Sequence, residues 1–232
     1  MTNIVIAGAT GLVGRELVRQ LEERRDVDFT ALVRRTGTFR AVSGRVKEVV
    51  FDYRDPADLE RLGGAIPCDL MFCALGTTLK RAGSPEAFRE VDLDYPAALI
   101  QRLASLDPRP AFALVSSLGA DKPRGLYLGT KAEVEQVLVQ SGLPYLILRP
   151  SLLLGQREEV RLGERLAATL LAQPFLLAAK LLAPRSPLLW SIAPIEASQV
   201  ARTMIWCCLD RPMAKGGQIL SGLPLHHPIL AE

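Results

Sequence analysis

The sequence predicts an α/β protein built on a doubly wound parallel sheet, with helices on both faces and a small C-terminal helical cap. Strand and helix signals alternate along most of the 232 residues. The strands are continuous apolar runs, such as Leu70–Ala74, as expected when helices cover both faces of a parallel sheet. The first strand also runs directly into a glycine-rich turn and a helix. This alternation is typical of a doubly wound sheet.

The elements follow one another in a regular order. Strands are predicted near Asn3–Ala7, Phe29–Val33, Val46–Phe51, Leu70–Ala74, Phe112–Ser116, Tyr145–Leu148 and Gln218–Ser221. Helices are predicted near Leu12–Arg24, Pro56–Leu62, Pro85–Leu106, Leu126–Gln140, Leu162–Leu182 and Glu196–Leu209. We expect residues 1–232 to form one domain, in which residues 151–232 contribute the cap over the carboxyl ends of the strands, where ligands bind in such sheets.

The overall charge and the cysteines limit the class of protein. The net charge of +3 is small and the basic residues are scattered, which argues against a nucleic-acid partner. The amino terminus enters a strand at once, so no secretory signal peptide is expected. The four cysteines have no zinc-ligand spacing. These features predict a reduced, cytoplasmic protein.

The most apolar stretch is Leu166–Leu182, and Gln173, Pro174 and Lys180 interrupt it. A membrane span needs about 20 nearly uncharged residues, so no transmembrane segment is predicted. A buried helix pair or a helix lining a pocket is the simplest interpretation. The alternative is that the apolar region 162–189 binds a second copy, another protein or a lipid surface.

The glycine-rich turn is the most informative motif. Residues 4–14 read Ile-Val-Ile-Ala-Gly-Ala-Thr-Gly-Leu-Val-Gly. A glycine turn between a strand and a helix lets the backbone approach a pyrophosphate, which the helix amides and dipole then face. The alternative is a plain structural turn, which also favours glycine. The sequence predicts dinucleotide binding by Gly8, Thr10, Gly11, Leu12, Val13 and Gly14.

The end of the second strand indicates which dinucleotide binds. NAD-binding folds place an acidic residue there for the ribose hydroxyls, whereas an arginine accommodates the 2′-phosphate of NADP. This chain has Arg34 and Arg35 and no acid at that turn. NADP(H) is therefore predicted over NAD(H), the alternative being two solvated surface arginines.

Two further strand ends complete the predicted cofactor site. Asp52 follows the third strand, where its carboxylate could accept a hydrogen bond from the adenine amino group or could instead form the next turn. Ala74, Leu75 and Gly76 follow the fourth strand, and such small residues would let the cofactor lie against the backbone.

A possible catalytic set follows the fifth strand, which ends at Ser116 and Ser117. Tyr127 and Lys131 lie four residues apart on the next helix, so they share one face. An ammonium beside a phenol favours the phenolate, which makes Tyr127 a usable proton donor to a carbonyl or acceptor from an alcohol. A serine hydroxyl can orient the same oxygen. An accidental Tyr-x-x-x-Lys spacing is the alternative.

Together these motifs resemble the short-chain dehydrogenase/reductase superfamily. The sequences Cys73-Ala-Leu-Gly-Thr-Thr78, Ser116-Ser-Leu-Gly-Ala-Asp-Lys122 and Tyr127-Leu-Gly-Thr-Lys131 are similar to the atypical branch of Tat-interacting oxidoreductase-like and NAD(P)-binding epimerase-like proteins. The resemblance implies a Rossmann fold, NADP(H) binding in which Lys131 and Pro150 take part, and a catalytic set of Ser117, Tyr127 and Lys131. Ser116 could replace Ser117.

Two functions are consistent with these features. The first is an NADP(H)-dependent oxidoreductase that acts on a small carbonyl or alcohol. The second is a non-catalytic NADP(H)-sensing or scaffold protein that contacts a protein or lipid. Thr77, Thr78, Lys80 and Arg81 line the open end of the cleft under either interpretation, or form a solvated loop.

Overall fold

A computed structural model describes residues 1–39, 45–154, 193–211 and 216–226. The predicted helix Leu162–Leu182 and the apolar region 162–189 lie outside these residues. The described strands are β1 (Thr2–Ala7), β2 (Val27–Val33), β3 (Lys47–Val50), β4 (Leu70–Cys73), β5 (Ala111–Val115), β6 (Tyr145–Arg149), β7 (Leu153–Leu154), β8 (Ile195–Glu196) and β9 (Gln218–Ser221). The described helices are α1 (Leu12–Glu22), α2 (Pro56–Glu60), α3 (Leu79–Ala82), α4 (Pro85–Arg89), α5 (Tyr95–Ala104), α6 (Gly125–Gln140), α7 (Ala197–Ile205) and α8 (Leu223–His226).

The main sheet has seven parallel strands in the order β3-β2-β1-β4-β5-β6-β9. Ile4 pairs with Phe29 of β2 on one side and with Leu70 of β4 on the other. The chain therefore winds outward in both directions from β1 and β4. In such sheets this reversal opens a crevice at the carboxyl ends of the two strands. The predicted Rossmann fold is confirmed.

The apolar core forms two layers, one on each face of the sheet. Ile4 and Ile6 of β1 face the layer that contains residues of α1 and α7, whereas Val5 and Ala7 face the layer that contains residues of α5 and α6. Alternate residues of a strand point to opposite faces. Both sets are apolar because both faces are covered, which explains the continuous apolar runs in the sequence.

Several local features differ from the predicted elements, among them the short helix α8 and a π-helical turn at Trp206–Asp210 that ends the predicted helix Glu196–Leu209. The predicted helix Pro85–Leu106 consists of α4, a π-helical turn at Glu90–Asp94 and α5. Pro96, near the start of α5, lacks the amide hydrogen that a regular α-helix would donate to the carbonyl of Asp92, which favours this irregularity. The single turn α3 and the small parallel pair β7–β8 were not predicted. None of the described helices is long and apolar enough to cross a membrane.

Candidate dinucleotide and active site

The glycine turn is packed so closely that side chains are excluded from it. Gly8 has a φ of +79°, and a Cβ there would lie 2.5 Å from the carbonyl carbon of Ala74. A Cβ on Gly14 would overlap the carbonyl oxygen of Gly8. The amide of Gly11 donates to that same oxygen at 3.0 Å. The turn between β1 and α1 therefore has a fixed shape, with its backbone against the end of β4.

The amino end of α1 has properties that suit a phosphate. Gly11 occupies the N-cap position and has no side chain to accept from the first-turn amides. The first turn also contains no acidic residue. A helix begins with amides that have no partner within the helix, and these amides and the helix dipole favour an anion. The turn and the helix end therefore fit a pyrophosphate.

A cleft runs along the carboxyl ends of the strands and has two branches that meet at the glycine turn. We call the first the arginine branch; it has a volume of about 660 Å³ and is lined by Arg34, Arg35, Thr38 and Tyr53, among others. We call the second the tyrosine branch; it has a volume of about 650 Å³ and is lined by Tyr127, Lys131, Ser116 and Asp92, among others. The residues that line both branches are Thr10, Gly11, Ala74, Leu75, Gly76, Thr77 and Arg81.

Most of the predicted cofactor residues lie on this cleft. Gly8, Thr10, Gly11, Ala74, Leu75 and Gly76 line it at the junction, and Leu12 and Val13 line the tyrosine branch. Gly14 does not line the cleft, and its backbone packs against Gly8 and Ala9 of the turn. Pro150 is buried, and its carbonyl accepts a hydrogen bond from the amide of Leu118 at 2.8 Å. Pro150 is not among the cleft-lining residues.

The two arginines are exposed and make no ion pair with any described residue. The backbone of the loop that follows them is hydrogen-bonded to Glu48 of β3. The carboxylate of Glu48 accepts hydrogen bonds from the amides of Gly37 and Phe39, both at 2.5 Å. Because the nearby carboxylate is occupied by backbone amides, the guanidinium groups of Arg34 and Arg35 remain available to an anion.

Asp52 adopts the turn role, and the next residue faces the cleft. The Asp52 carboxylate accepts the amide of Arg54 at 3.0 Å, and Asp52 is not among the residues that line the cleft. Tyr53 lines the arginine branch, and its ring stacks on that of Tyr95 with the centroids 5.2 Å apart. Neither tyrosine was predicted from the sequence. An aromatic residue after a strand is a weak signal, because such residues usually pack in a core.

Tyr127 and Lys131 lie on the same face of α6 and both line the tyrosine branch. Tyr127 is 42% exposed, and its ring contacts Phe88 of α4 at a centroid distance of 5.9 Å. The Lys131 side chain is only 6% exposed. The predicted i, i+4 arrangement is therefore present, with the phenol at the opening of the branch and the ammonium deeper within it.

The buried ammonium has a partner that was not predicted from the sequence. The Nζ atom of Lys131 lies 2.8 Å from Oδ1 of Asp92, whose side chain is fully buried in the π-helical turn. The Oδ2 atom of Asp92 accepts the amide of Thr77 at 2.8 Å. Asp92 thus joins the lysine to the loop after β4. The sequence carried no signal that singled out Asp92, because the carboxylates of Glu90 and Asp94 flank it in the same stretch.

The two serines have different environments. Ser116 is buried, lines the tyrosine branch and donates its hydroxyl hydrogen to Glu135. Glu135 also pairs with Arg149, with Oε2 and the guanidinium nitrogen 2.6 Å apart. That pairing raises the pKa of the Arg149 guanidinium above its ordinary value. Ser117 is half-buried, makes only a long hydrogen bond of 3.4 Å to the carbonyl of Leu118, and is not among the lining residues.

Comparison with known proteins identifies relatives that cover most of the chain. Residues 8–169 match the model of a family described as NAD(P)H-binding. Protein FMP52, mitochondrial, of Candida albicans is 35% identical over 173 residues, which cover 71% of this chain and 73% of that protein. Protein HTATIP2 of Rattus norvegicus is 36% identical over 174 residues, covering 71% of this chain and 68% of that protein.

Solved structures show the same fold at low sequence identity. The UDP-Glc/GlcNAc 4-epimerase of Campylobacter jejuni has a TM-score of 0.72 and is 17% identical, over 100% of this chain and 82% of that one. The UDP-glucuronic acid 4-epimerase of Bacillus cereus, solved with UDP-glucuronic acid and NAD, has a TM-score of 0.70 and is 14% identical, over 95% of this chain and 77% of that one.

The relatives correct one prediction from the sequence. The expectation of a cytoplasmic protein is wrong, because the FMP52 relatives from several fungi, including Emericella nidulans, are named as mitochondrial proteins. The signal-peptide argument concerned only the secretory route, which does not separate cytosol from mitochondrion. The family itself is as predicted: the chain belongs to the NAD(P)H-binding family, in the atypical branch of the short-chain dehydrogenase/reductase superfamily represented by its FMP52 and HTATIP2 relatives.

Proposed function

We propose that this protein is an NADP(H)-dependent oxidoreductase that interconverts a small carbonyl compound and its alcohol. The observation that carries the proposal is the position of Tyr127 and Lys131 in a cleft branch that meets the glycine turn. A dinucleotide whose pyrophosphate lies at the amino end of α1 would extend one end into the arginine branch. Its other end would reach the tyrosine branch. The two branches meet at the glycine turn, so one cleft would have room for both ends of the dinucleotide.

The nicotinamide would supply or accept the hydride, and the chain's own residues would handle the proton. Tyr127 would donate its phenolic hydrogen to a carbonyl oxygen, or accept the hydroxyl hydrogen of an alcohol in the reverse direction. The Lys131 ammonium would stabilise the phenolate that forms and would offer its remaining hydrogens to ribose hydroxyls. Asp92 holds that ammonium in place through the 2.8 Å ion pair.

We assign the substrate-orienting serine to Ser117. A serine hydroxyl has a single hydrogen to donate, and Ser116 gives its hydrogen to Glu135. The hydroxyl of Ser117 makes only the long bond to the carbonyl of Leu118, so its hydrogen is the more available of the two for a substrate oxygen. Ser117→Ala should then reduce kcat more than Ser116→Ala does, when both variants are assayed below their unfolding temperatures. The opposite order would reassign the role to Ser116.

The preference for NADP(H) rests on Arg34 and Arg35. Two guanidinium groups without a carboxylate partner in the described structure suit a 2′-phosphate, because arginine stays charged and can donate two parallel hydrogen bonds. Among the described residues, no acidic side chain lines the end of β2 to bind the 2′-hydroxyl of NAD.

A screen of small aldehydes, ketones and alcohols tests the proposed activity. Absorbance at the reduced-nicotinamide band reports turnover with NADPH or NADP⁺, and the expected result is NADP(H)-dependent turnover of at least one class. NADPH that binds tightly while no member of the panel is turned over would favour the alternative of a dinucleotide-sensing protein. Failure to bind either nicotinamide cofactor would contradict both functions.

A further inference from the structure

The lining of the tyrosine branch includes two cations on a single helical turn. Lys80 and Arg81 lie on α3, which directly follows the loop after β4, and both are exposed. Lys80 lines the tyrosine branch but not the arginine branch, whereas Arg81 lines both branches. The Thr78 hydroxyl caps the turn by accepting the amide of Arg81 at 3.2 Å, and this leaves the hydroxyl hydrogen free to donate. The turn therefore presents two positive charges to the cleft from a defined backbone position.

These two cations differ from two nearby arginines that do have a carboxylate partner. Arg54 pairs with Glu90 at 2.7 Å, and Arg89 pairs with Glu133 at 2.6 Å. Lys80 and Arg81 form no ion pair with any residue in the described part of the chain. A free cation on a convex surface is simply solvated. Inside a cleft, two such cations raise the local concentration of anions.

The carboxylates of the tyrosine branch also leave Lys80 and Arg81 available to an anion. Asp92 is the one carboxylate among the described residues that line the tyrosine branch. Both of its oxygens are occupied, one by Lys131 and the other by the amide of Thr77. Among the described residues that line the tyrosine branch, no carboxylate is therefore left to neutralise the positive charges of Lys80 and Arg81.

The proposed dinucleotide does not account for Lys80. Its pyrophosphate would be met by the glycine turn and α1, and its 2′-phosphate by Arg34 and Arg35 in the other branch. Lys80 borders only the branch in which a substrate must reach Tyr127. We infer that the substrate is a carbonyl or alcohol compound that carries an oxyanion group, a carboxylate or a phosphate, and that Lys80 and Arg81 hold this group while Tyr127 faces the reacting oxygen. This inference rests on the proposed function.

The experiment is a calorimetric titration of the full chain saturated with NADP⁺, so that the dinucleotide already occupies its own phosphate sites. The probes are succinate, inorganic phosphate and the uncharged control succinamide. Binding of succinate or phosphate, with no binding of succinamide, is expected. Tighter binding of succinate would identify a carboxylate substrate, and tighter binding of phosphate would identify a phosphorylated one.

Variants then assign the binding to α3. Lys80→Ala should weaken binding of the anion about tenfold, as expected for the loss of one hydrogen bond to a charged group. The double change Lys80→Ala with Arg81→Ala should abolish it. Lys122→Ala is the matched control, because Lys122 is exposed and does not line the cleft. It should bind the anion as the unchanged protein does.

Two results would overturn the inference: equal affinity for succinate and succinamide, or an unchanged anion affinity in the double variant. The affinity for NADP⁺ is measured separately in the Lys80→Ala protein and should stay within about twofold, since Lys80 borders only the tyrosine branch. A chain that binds no NADP⁺ contradicts the proposed function instead. In that cofactor-free protein phosphate could also bind at the amino end of α1, so the comparison of the double variant with the unchanged chain, and not anion binding by itself, would decide the inference.

Discussion

Arg34 and Arg35 line the cleft and have no carboxylate partner among the described residues. Lys131 also lines the cleft, but its ammonium is paired with the carboxylate of Asp92. This difference matters because an unpaired cation is free to bind a phosphate, and a paired buried cation is fixed in position. The first situation bears on the choice of cofactor and the second on the geometry of the proposed proton transfer. Each can be tested by a single substitution.

Arg34→Ala should weaken NADPH binding by roughly tenfold or more, because a charge-assisted hydrogen bond to the 2′-phosphate is lost. NADH lacks that phosphate, so its affinity should change less than about twofold. Fluorescence titration with both cofactors measures the two effects. Arg124→Ala serves as the control, since Arg124 is exposed and lies outside the lining of the arginine branch. Equal losses of affinity for NADPH and NADH would show that Arg34 does not bind the 2′-phosphate.

Asp92→Asn should destabilise the fold by about 3 kcal/mol, because it leaves the buried ammonium of Lys131 without its counter-charge. The introduced amide still offers an oxygen to the backbone N–H of Thr77, so the effect reports the ion pair. Urea unfolding of Asp92→Asn, Lys131→Met and the double variant gives the coupling between the two residues. We expect the double variant to lose much less stability than the sum of the single changes. Additive losses would contradict a coupled pair.

At the scale of the elements, the site depends on the close contact between α1 and the turn that precedes it. Gly14→Ala should destabilise the protein, because the new Cβ would overlap the carbonyl oxygen of Gly8. Gly129→Ala is the matched control: Gly129 also lies in a helix, and a Cβ there meets nothing within 4 Å. Helix propensity predicts that Gly129→Ala stabilises by up to about 1 kcal/mol.

Thermal or urea unfolding of both alanine variants separates the two effects. A Gly14→Ala protein as stable as the unchanged chain, with the same NADPH affinity, would show that the tight packing of the glycine turn is not required. Opposite signs for the two glycines would support the steric account, since helix propensity alone favours both changes equally.

The sequence was sufficient where local spacing determines structure, and insufficient where distant segments meet. Tyr127 and Lys131 were predictable because a helix places residues four apart on one face. Asp92 was missed because its partner is on another helix, and only the folded chain brings the two together. Asp52 and Tyr53 are adjacent at a strand end, and nothing in the sequence indicates which of the two faces the cleft.

At the scale of the whole molecule, the two-layered core explains the behaviour expected of the cysteines. All four are free, and Cys68, Cys73 and Cys207 are buried. Burial raises the pKa of the Cys73 thiol from 9.0 to about 11 and that of Cys68 to about 12. The apolar packing that makes the sheet stable therefore holds these thiols in their neutral form.

This burial predicts a loss of stability in alkaline solution. A thiol whose pKa is raised by folding favours the folded state below its unfolded pKa of 9.0, and this contribution is lost as the pH rises toward the folded value of about 11. For Cys73 alone the loss between about pH 8 and about pH 10.5 should be about 2 kcal/mol. Urea unfolding across that range, compared with Cys73→Ala, isolates the contribution. Identical pH dependences for the two proteins would contradict it.

The compartment, unlike the fold, is not determined by packing within the chain. The fold, the cleft and the core follow from interactions between residues of the chain, so sequence patterns report on them. A destination in the cell is decided by receptors that recognise an address. Neither the small net charge nor the free cysteines contain that information, and the names of the fungal relatives supplied the correction.

The most direct test of the proposed oxidoreductase is Tyr127→Phe, which removes the phenolic hydroxyl but keeps the ring that contacts Phe88. NADPH affinity should remain near that of the unchanged protein, while kcat on a substrate found in the carbonyl screen should fall by about 10²–10⁴-fold, the usual contribution of a positioned acid–base group. Fluorescence titration gives the affinity, and steady-state measurement of NADPH oxidation gives kcat. Full turnover by Tyr127→Phe on a confirmed substrate would contradict the catalytic role of Tyr127.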